Sequence, residues 1–328
     1  MNQRNFDARP IDASGRRDFL RGVAALGAGL VVAGCASSRQ PAAMAAGPGG
    51  SRSGHYTLKD GTRLHYLEAG RGKPLVLIPG WSQTAAMYQD QLEGLSSRYR
   101  VIAVDMRGHG ESSKPEGGYR MARLAQDTHE FLTGLGLHDV ALGGHSMGAS
   151  VMWSYWDHYG ADRLSHMIVI DQAPTVVAWP GWSDEEKANA GTLFTPETLY
   201  ATAAAIGGPD GIKTTDGFVR GAFFTKAYPA SKLDWVLQEN LKFPRPQAAT
   251  LLVDHCAQDW RDVIRTIDIP TLVIGGTKSF FNPKSQEWIA QQIPGARVHI
   301  YEESEGGSHF MFMENPEKFN RQVMDFLG

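Results

Sequence analysis

The sequence predicts an α/β fold, a mostly parallel twisted sheet with helices on both faces and a helical cap inserted late in the chain. Three observations carry that prediction. From His55 onward, short apolar runs of strand length alternate with stretches of helical period, the signature of a sheet built from repeated strand and helix units. Each run ends in a residue placed at one common sheet edge. Between Ala173 and about residue 265 the alternation stops, and aromatic residues such as Trp179, Trp182, Phe194, Phe218 and Phe223 mix with scattered Gly and Pro. An irregular helical insertion fits that stretch, lying over the carboxyl ends of the strands, where ligands bind in open α/β sheets.

The elements follow in order. Residues 56–59 and 63–68, joined across Asp60-Gly61, read as an opening hairpin, because Asp-Gly suits a tight two-residue turn. Strands are expected at 74–79, 99–105, 140–144, 166–171, 270–275 and 297–301. Helices are expected at about 147–158, 286–292 and 316–327. No internal repeat is present.

The first 35 residues read as an address. A polar stretch leads to Arg16-Arg17-Asp18-Phe19-Leu20-Arg21 and then to an apolar, Gly- and Ala-rich run over 23–33. This resembles a twin-arginine export signal, which implies export of a folded domain. The run is shorter than the roughly 20 residues a membrane-spanning helix needs. It ends in Val32-Ala33-Gly34-Cys35, which resembles a bacterial lipobox and implies a periplasmic lipoprotein anchored to the membrane through Cys35. The alternative is a soluble periplasmic protein cut later, near residues 43–45. Residues 36–54, without periodicity and rich in Ala, Gly, Ser and Pro, read as a flexible tether before a domain at 55–328.

Composition bounds the chemistry. At 328 residues and 42% apolar content the chain is ample for a packed core, and a net charge of −3 shows no basic surplus for nucleic acid. The two cysteines, Cys35 and Cys256, have no metal-ligand spacing, and no metal or cofactor is expected. The expected partner is a small-molecule substrate, with the chain a monomer or homodimer.

Gly144-His145-Ser146-Met147-Gly148 sits between an expected strand and an expected helix. A sharp strand-to-helix turn exposes the serine hydroxyl there, and the flanking glycines relieve its crowding, so Ser146 is the expected nucleophile. A serine hydroxyl needs a base, and the oxyanion it creates needs fixed donors. One donor is the Met147 N–H. The other is expected from the loop Pro79-Gly80-Trp81-Ser82-Gln83, with the Trp81 N–H as first choice and the Ser82 or Gln83 side chain as an auxiliary. His145 is expected to pack or to line the pocket.

From His55 to Gly328 the chain resembles the α/β-hydrolase family. The elbow carries the resemblance, and Asp105-Met106-Arg107-Gly108-His109-Gly110-Glu111-Ser112 resembles the family's loop after the following strand, read here as organising backbone. His309, in Gly306-Gly307-Ser308-His309-Phe310, matches the family's catalytic histidine. The acid departs from the common pattern: where many relatives carry an aspartate after the strand at 270–275, this chain has Ser279. Asp171, at the end of the preceding strand, is therefore the expected acid, with Glu302, Glu303 and Glu305 as rivals near His309.

The resemblance implies a carboxylic ester or lactone hydrolase of the serine type, acting on a moderately apolar small molecule. A second reading stays open, because Pro79-Gly80-Trp81, Asp171 and the His309 segment also resemble cofactor-free dioxygenases of this fold, which cleave hydroxyquinolone rings with a His–Asp base. In that chemistry the serine is never acylated.

Overall fold

A computed structural model describes residues 45–46 and 50–328; the arginine pair, Cys35 and most of the expected tether lie outside them. Among the described residues nine strands form one sheet: β1 (Ala45–Ala46), β2 (Arg52–Thr57), β3 (Arg63–Ala69), β4 (Lys73–Ile78), β5 (Tyr99–Val104), β6 (Val140–His145), β7 (Leu164–Ile170), β8 (Thr271–Gly276) and β9 (Arg297–Tyr301). Their order is β1-β2-β3-β5-β4-β6-β7-β8-β9. The first three are antiparallel to their neighbours, and β5 through β9 run parallel.

The opening strand corrects the expected tether boundary. β2 begins at Arg52 and pairs along its length with β3, from Arg52 opposite Glu68 to Thr57 opposite Arg63. Its Gly54, which composition assigned to a linker, lies opposite Tyr66, and a β-carbon there would come within 2.6 Å of the tyrosine ring. The glycine is a packing requirement. The Arg52 guanidinium, 2.7 Å from Glu68, ties the same end of the hairpin.

The parallel strands β4 to β8 are buried on both faces toward their carboxyl ends, which is why they read as apolar runs, whereas β9 at the sheet edge is exposed until Tyr301. Alternation sorts their side chains. Val76, Ile78, Leu142, Val169 and Val273 face a core shared with α2 (Met121–Gly134) and α3 (Met147–Tyr159). Leu75, Leu77, Ala141, Ile168 and Ile274 face the opposite core, closed by α1 (Gln89–Leu95) and the chain's last helix. Between β7 and β8 the cap holds six helices: α4 (Asp184–Ala190), α5 (Pro196–Gly207), α6 (Gly211–Gly221), α7 (Ala230–Leu241), α8 (Arg245–Cys256) and α9 (Arg261–Ile264). After β8 come α10 (Pro283–Gln292), α11 (Met311–Glu314) and α12 (Pro316–Leu327). Among the described residues no helix is long and apolar enough to cross a membrane.

The strand order places the site. From β4 the chain moves to β5 on one side, while β6 lies on the other, so the loops after β4 and β6 diverge and leave a crevice at the carboxyl edge.

Candidate active site

Ser146 follows β6 directly and begins α3 with φ 52° and ψ −126°. L-residues rarely adopt that backbone, and it persists only where the surroundings enforce it. They do so here by close approach. A β-carbon on Gly144 would lie 2.4 Å from the Gly148 carbonyl carbon, and one on Gly148 would lie 2.4 Å from the Ile78 carbonyl oxygen. Gly144→Ala must therefore push the α3 backbone off β6. The expected cost is about 3 kcal/mol, read as a lower urea midpoint at unchanged m-value.

Asp171 sits just past β7, also in the left-handed region at φ 49°, which aspartate tolerates better than most residues. Its N–H donates to the Ile274 carbonyl at 2.7 Å, fixing the turn against β8. His309 arrives from the other direction, on the loop between β9 and α11. There the Gly307 N–H donates to the Glu302 carbonyl, and the Lys278 N–H donates to the Gly307 carbonyl at 2.7 Å.

These folds bring His309 Nδ1 to 2.5 Å from Asp171 Oδ2. With the Nδ1 proton directed at the carboxylate, Nε2 is left as the acceptor. Ser146 and His309 line one cavity of about 240 Å³. Ser279, the residue standing where an acid is common, donates its hydroxyl to the same Asp171 oxygen, and its Oγ accepts from the Phe281 N–H at 3.1 Å. Burial pushes the Asp171 carboxyl well above its usual range, and the Ser279 hydroxyl opposes that shift. Both donors converging on Oδ2 favour the ionised form. Glu302, Glu303 and Glu305 are engaged elsewhere: Glu302 and Glu305 bond each other's backbone and side chain, and Glu303 pairs with Lys278.

His309 lies in an aromatic box, its ring centroid 4.1 Å from that of Phe280 and 5.7 Å from that of Phe281. Burial among these rings draws its imidazole down to about 3, so it is neutral near pH 7.

The loop after β4 completes the crevice. A β-carbon on Gly80 would meet Ser146 Cβ at 2.9 Å, so the loop backbone passes directly beside the serine. Met147 occupies the first position of α3, where an N–H has no intrahelical acceptor, and the Trp81 N–H has no acceptor among the described residues. Trp81 lines the cavity and anchors its indole to the Ala248 carbonyl of α8 at 2.8 Å.

One sequence expectation is corrected, and of the two places offered for His145 it takes the packed one. Ser82 points away from the cavity: its hydroxyl donates to the Asn240 carbonyl at 2.8 Å and accepts from Arg245 at 2.6 Å, tying the loop to the cap. Its N–H donates to His109 Nε2, so the 105–112 loop supports this one from below. His145 is buried behind the cavity wall, with Nδ1 2.8 Å from Gln83 Oε1 and Nε2 2.8 Å from the His309 carbonyl oxygen. Gln83 Oε1 also accepts from the Gly80 N–H at 2.9 Å. A chain of short contacts thus joins the loop beside Ser146 to the backbone of His309, the neutral His145 donating its one N–H to either Gln83 Oε1 or the His309 carbonyl oxygen, and no local pattern in the sequence announces it. Asp105 and Arg107 behave as backbone and ion-pair organisers, Asp105 accepting from the Ala85 and Glu111 N–H groups and Arg107 pairing with Asp127 and Asp60.

Among the described residues no cluster of His, Cys, Asp and Glu could hold a metal ion. The arrangement is suited to general-base activation of a hydroxyl, with free N–H groups placed beside it for a developing anion.

Comparison with known proteins agrees in kind. The chain is 30% identical to a non-heme chloroperoxidase from Kitasatospora aureofaciens over 289 residues, which cover 83% of this chain and 98% of that protein. An esterase from Exiguobacterium antarcticum superposes with a TM-score of 0.75 at 26% identity, covering 83% of this chain and 98% of the other. A bromoperoxidase from Bacillus anthracis superposes with a TM-score of 0.75 at 25% identity, covering 84% and 99%. The family model for the alpha/beta hydrolase fold matches residues 73–316. With the strand order, the crevice and that match taken together, the chain belongs to the alpha/beta hydrolase family.

Proposed function

We propose that the protein hydrolyses a carboxylic ester or lactone of a moderately apolar small molecule through an acyl-enzyme at Ser146. One observation carries the reading: a serine held in a strained turn shares an apolar cavity with a neutral histidine whose other nitrogen is committed to a buried carboxylate.

The chemistry then follows the geometry. Ser146 Oγ attacks the carbonyl carbon as its proton passes to His309 Nε2. The oxyanion collects hydrogen bonds from the Met147 and Trp81 N–H groups. His309 returns the proton to the departing alkoxide, and the alcohol leaves, or stays tethered in a lactone. A water then gives its proton to His309 and attacks the acyl carbon, which frees the carboxylic acid and restores Ser146. Asp171 holds the Nδ1–H tautomer and stabilises the imidazolium that forms twice in the cycle. The names of similar proteins include both esterases and haloperoxidases. Hydrogen peroxide in place of water at the same acyl-enzyme would release a peracid with no change in the protein's groups.

A fluorophosphonate probe tests the reading. The expected result is one adduct, mapped to the peptide containing Ser146, with loss of aryl-ester hydrolysis in proportion to labelling. A folded protein that resists the probe, hydrolyses no ester or lactone and instead consumes oxygen with a hydroxyquinolone would establish the dioxygenase reading.

The pH profile offers a second check. The base must be neutral to act, and burial lowers the His309 pKa, so protonation is delayed as pH falls. The acid limb of kcat/KM is expected below the ordinary histidine value of about 6.5. A limb above 7 would contradict the desolvated setting of His309.

We also propose export and anchoring through Cys35, resting on the arginine pair and the lipobox-like Val32-Ala33-Gly34-Cys35. Fractionation of the producing cell should find the mature chain in membranes, beginning at a lipid-modified Cys35. A soluble chain starting near residue 46 would replace the anchor with simple secretion.

A further inference from the structure

The cap gives the cavity one polar side chain that the acyl-enzyme chemistry leaves idle. His255, on α8, is 4% exposed and lines the same cavity as Ser146. Neither of its ring nitrogens has a hydrogen-bond partner among the described residues, and Nδ1 is fully enclosed. Buried polar groups are normally bonded, and one left without a partner costs free energy that the fold must supply. The cavity wall also includes Leu252, Val176 and Phe194, which offer nothing polar. Burial holds the imidazole neutral, down to about 3.

The position is set by α8. Ala248 accepts from the Trp81 indole, and the seven residues from there to His255 advance about 10 Å along the helix axis. His255 is therefore displaced along the cap from the loop that passes beside Ser146. No Lys, Arg, Asp or Glu lines the cavity, so a charged substrate group would be desolvated without compensation.

We propose that His255 is a specificity-determining residue, hydrogen-bonding an uncharged polar group, a ketone or hydroxyl, carried on the apolar body of the substrate away from the scissile carbonyl. The substrate class narrows accordingly to neutral esters or lactones with an apolar chain interrupted by one such group. This inference rests on the hydrolase reading for its turnover assay, and a binding assay separates the two.

The experiment uses nitrophenyl alkanoates with a single keto group walked along the acyl chain, and alkyl acetates with the same group walked along the alcohol chain. At one position the wild-type protein should favour the keto ester over its all-methylene parent by about tenfold in kcat/KM, the worth of one buried hydrogen bond. His255→Leu should erase that ratio, and His255→Gln should keep part of it, as an amide can still bond. Calorimetry with non-hydrolysable chains, diketone against monoketone, should show the same preference in wild type. Turnover without a keto preference at any position, or a preference unchanged in His255→Leu, overturns the role of His255 and leaves the hydrolase standing. A diketone preference in a protein that turns over no ester does the reverse. Should His255→Leu fail to fold, the wild-type ratios and His255→Gln decide.

Discussion

Asp171→Asn is expected to lower kcat for ester hydrolysis by about 10⁴-fold, the scale seen when an imidazole loses the carboxylate that sets its tautomer, while Ser279→Ala lowers it less than about tenfold. The asymmetry comes from what each group does. Asp171 Oδ2, 2.5 Å from His309 Nδ1, keeps the proton on that nitrogen and Nε2 free to accept. An asparagine amide can turn its NH₂ toward Nδ1, which moves the ring proton to Nε2 and removes the base. Ser279 makes no hydrogen bond to His309; it supplies a donor to the carboxylate that His309 uses. Losing it raises the carboxyl pKa further in the direction burial already pushes, with Asp171 still aimed at the ring.

The geometry adds a reciprocal test. Position 279 reaches the oxygen that His309 uses, so Asp171→Asn combined with Ser279→Asp should recover part of the lost rate by supplying the carboxylate from the neighbouring loop. Steady-state kinetics on one aryl ester measure all three variants. Asp171→Asn retaining more than a tenth of the wild-type kcat would remove Asp171 from the mechanism and send the search back to the glutamates near residue 303.

Much of this site was legible because its parts are local. The elbow is a pentapeptide between a strand and a helix, and its two glycines are required by contacts of 2.4 Å that the motif already implies. The central parallel strands were legible for a related reason: burial on both faces erases polar positions and leaves apolar runs. Asp171 was reached indirectly, from the serine at 279, and that serine proved to be more than a missing acid, since it bonds the carboxylate that replaces it.

What escaped sequence reading is relational. Gly54 looks like linker until Tyr66 is seen opposite it. Ser82 looked like an oxyanion auxiliary, and its hydroxyl is instead claimed by Asn240 and Arg245, about 160 residues away. The contacts of His145 with Gln83 and with the His309 carbonyl likewise join three distant segments. His255 carried no signal at all, because a histidine on a cap helix acquires meaning only from the cavity it faces.

Acid should unfold this protein earlier than its carboxylates alone would suggest, through histidines buried in the neutral state. Burial holds His109 down to about 4, His255 and His309 down to about 3, and His145 well below its usual value. In the unfolded chain each titrates near 6.5. The sign follows from linkage: where the folded pKa is depressed, the unfolded state binds more protons, so stability is complete above about 6.5 and is lost as pH falls toward the folded values. Asp171 works the other way in direction, since burial favours its neutral carboxyl in the native state while the donors around it hold the carboxylate. As pH falls from about 6.5 to 5 these imidazoles therefore take up protons on unfolding, and the raised Asp171 pKa offsets part of that uptake. At about 1.4 kcal/mol per proton per pH unit, each imidazole that stays neutral in the fold costs about 2 kcal/mol of stability by pH 5, a large fraction of the stability of many domains. Urea unfolding at pH 7.5 and at pH 5 should show this as a large fall in midpoint at similar m-value. His255→Leu should reduce the proton uptake by about one, because it removes one of the four neutral imidazoles and leaves the others in place. A midpoint that stays level across that interval would mean that these histidines are already protonated in the native protein, and with it the neutral base on which the acyl-enzyme chemistry depends would be lost.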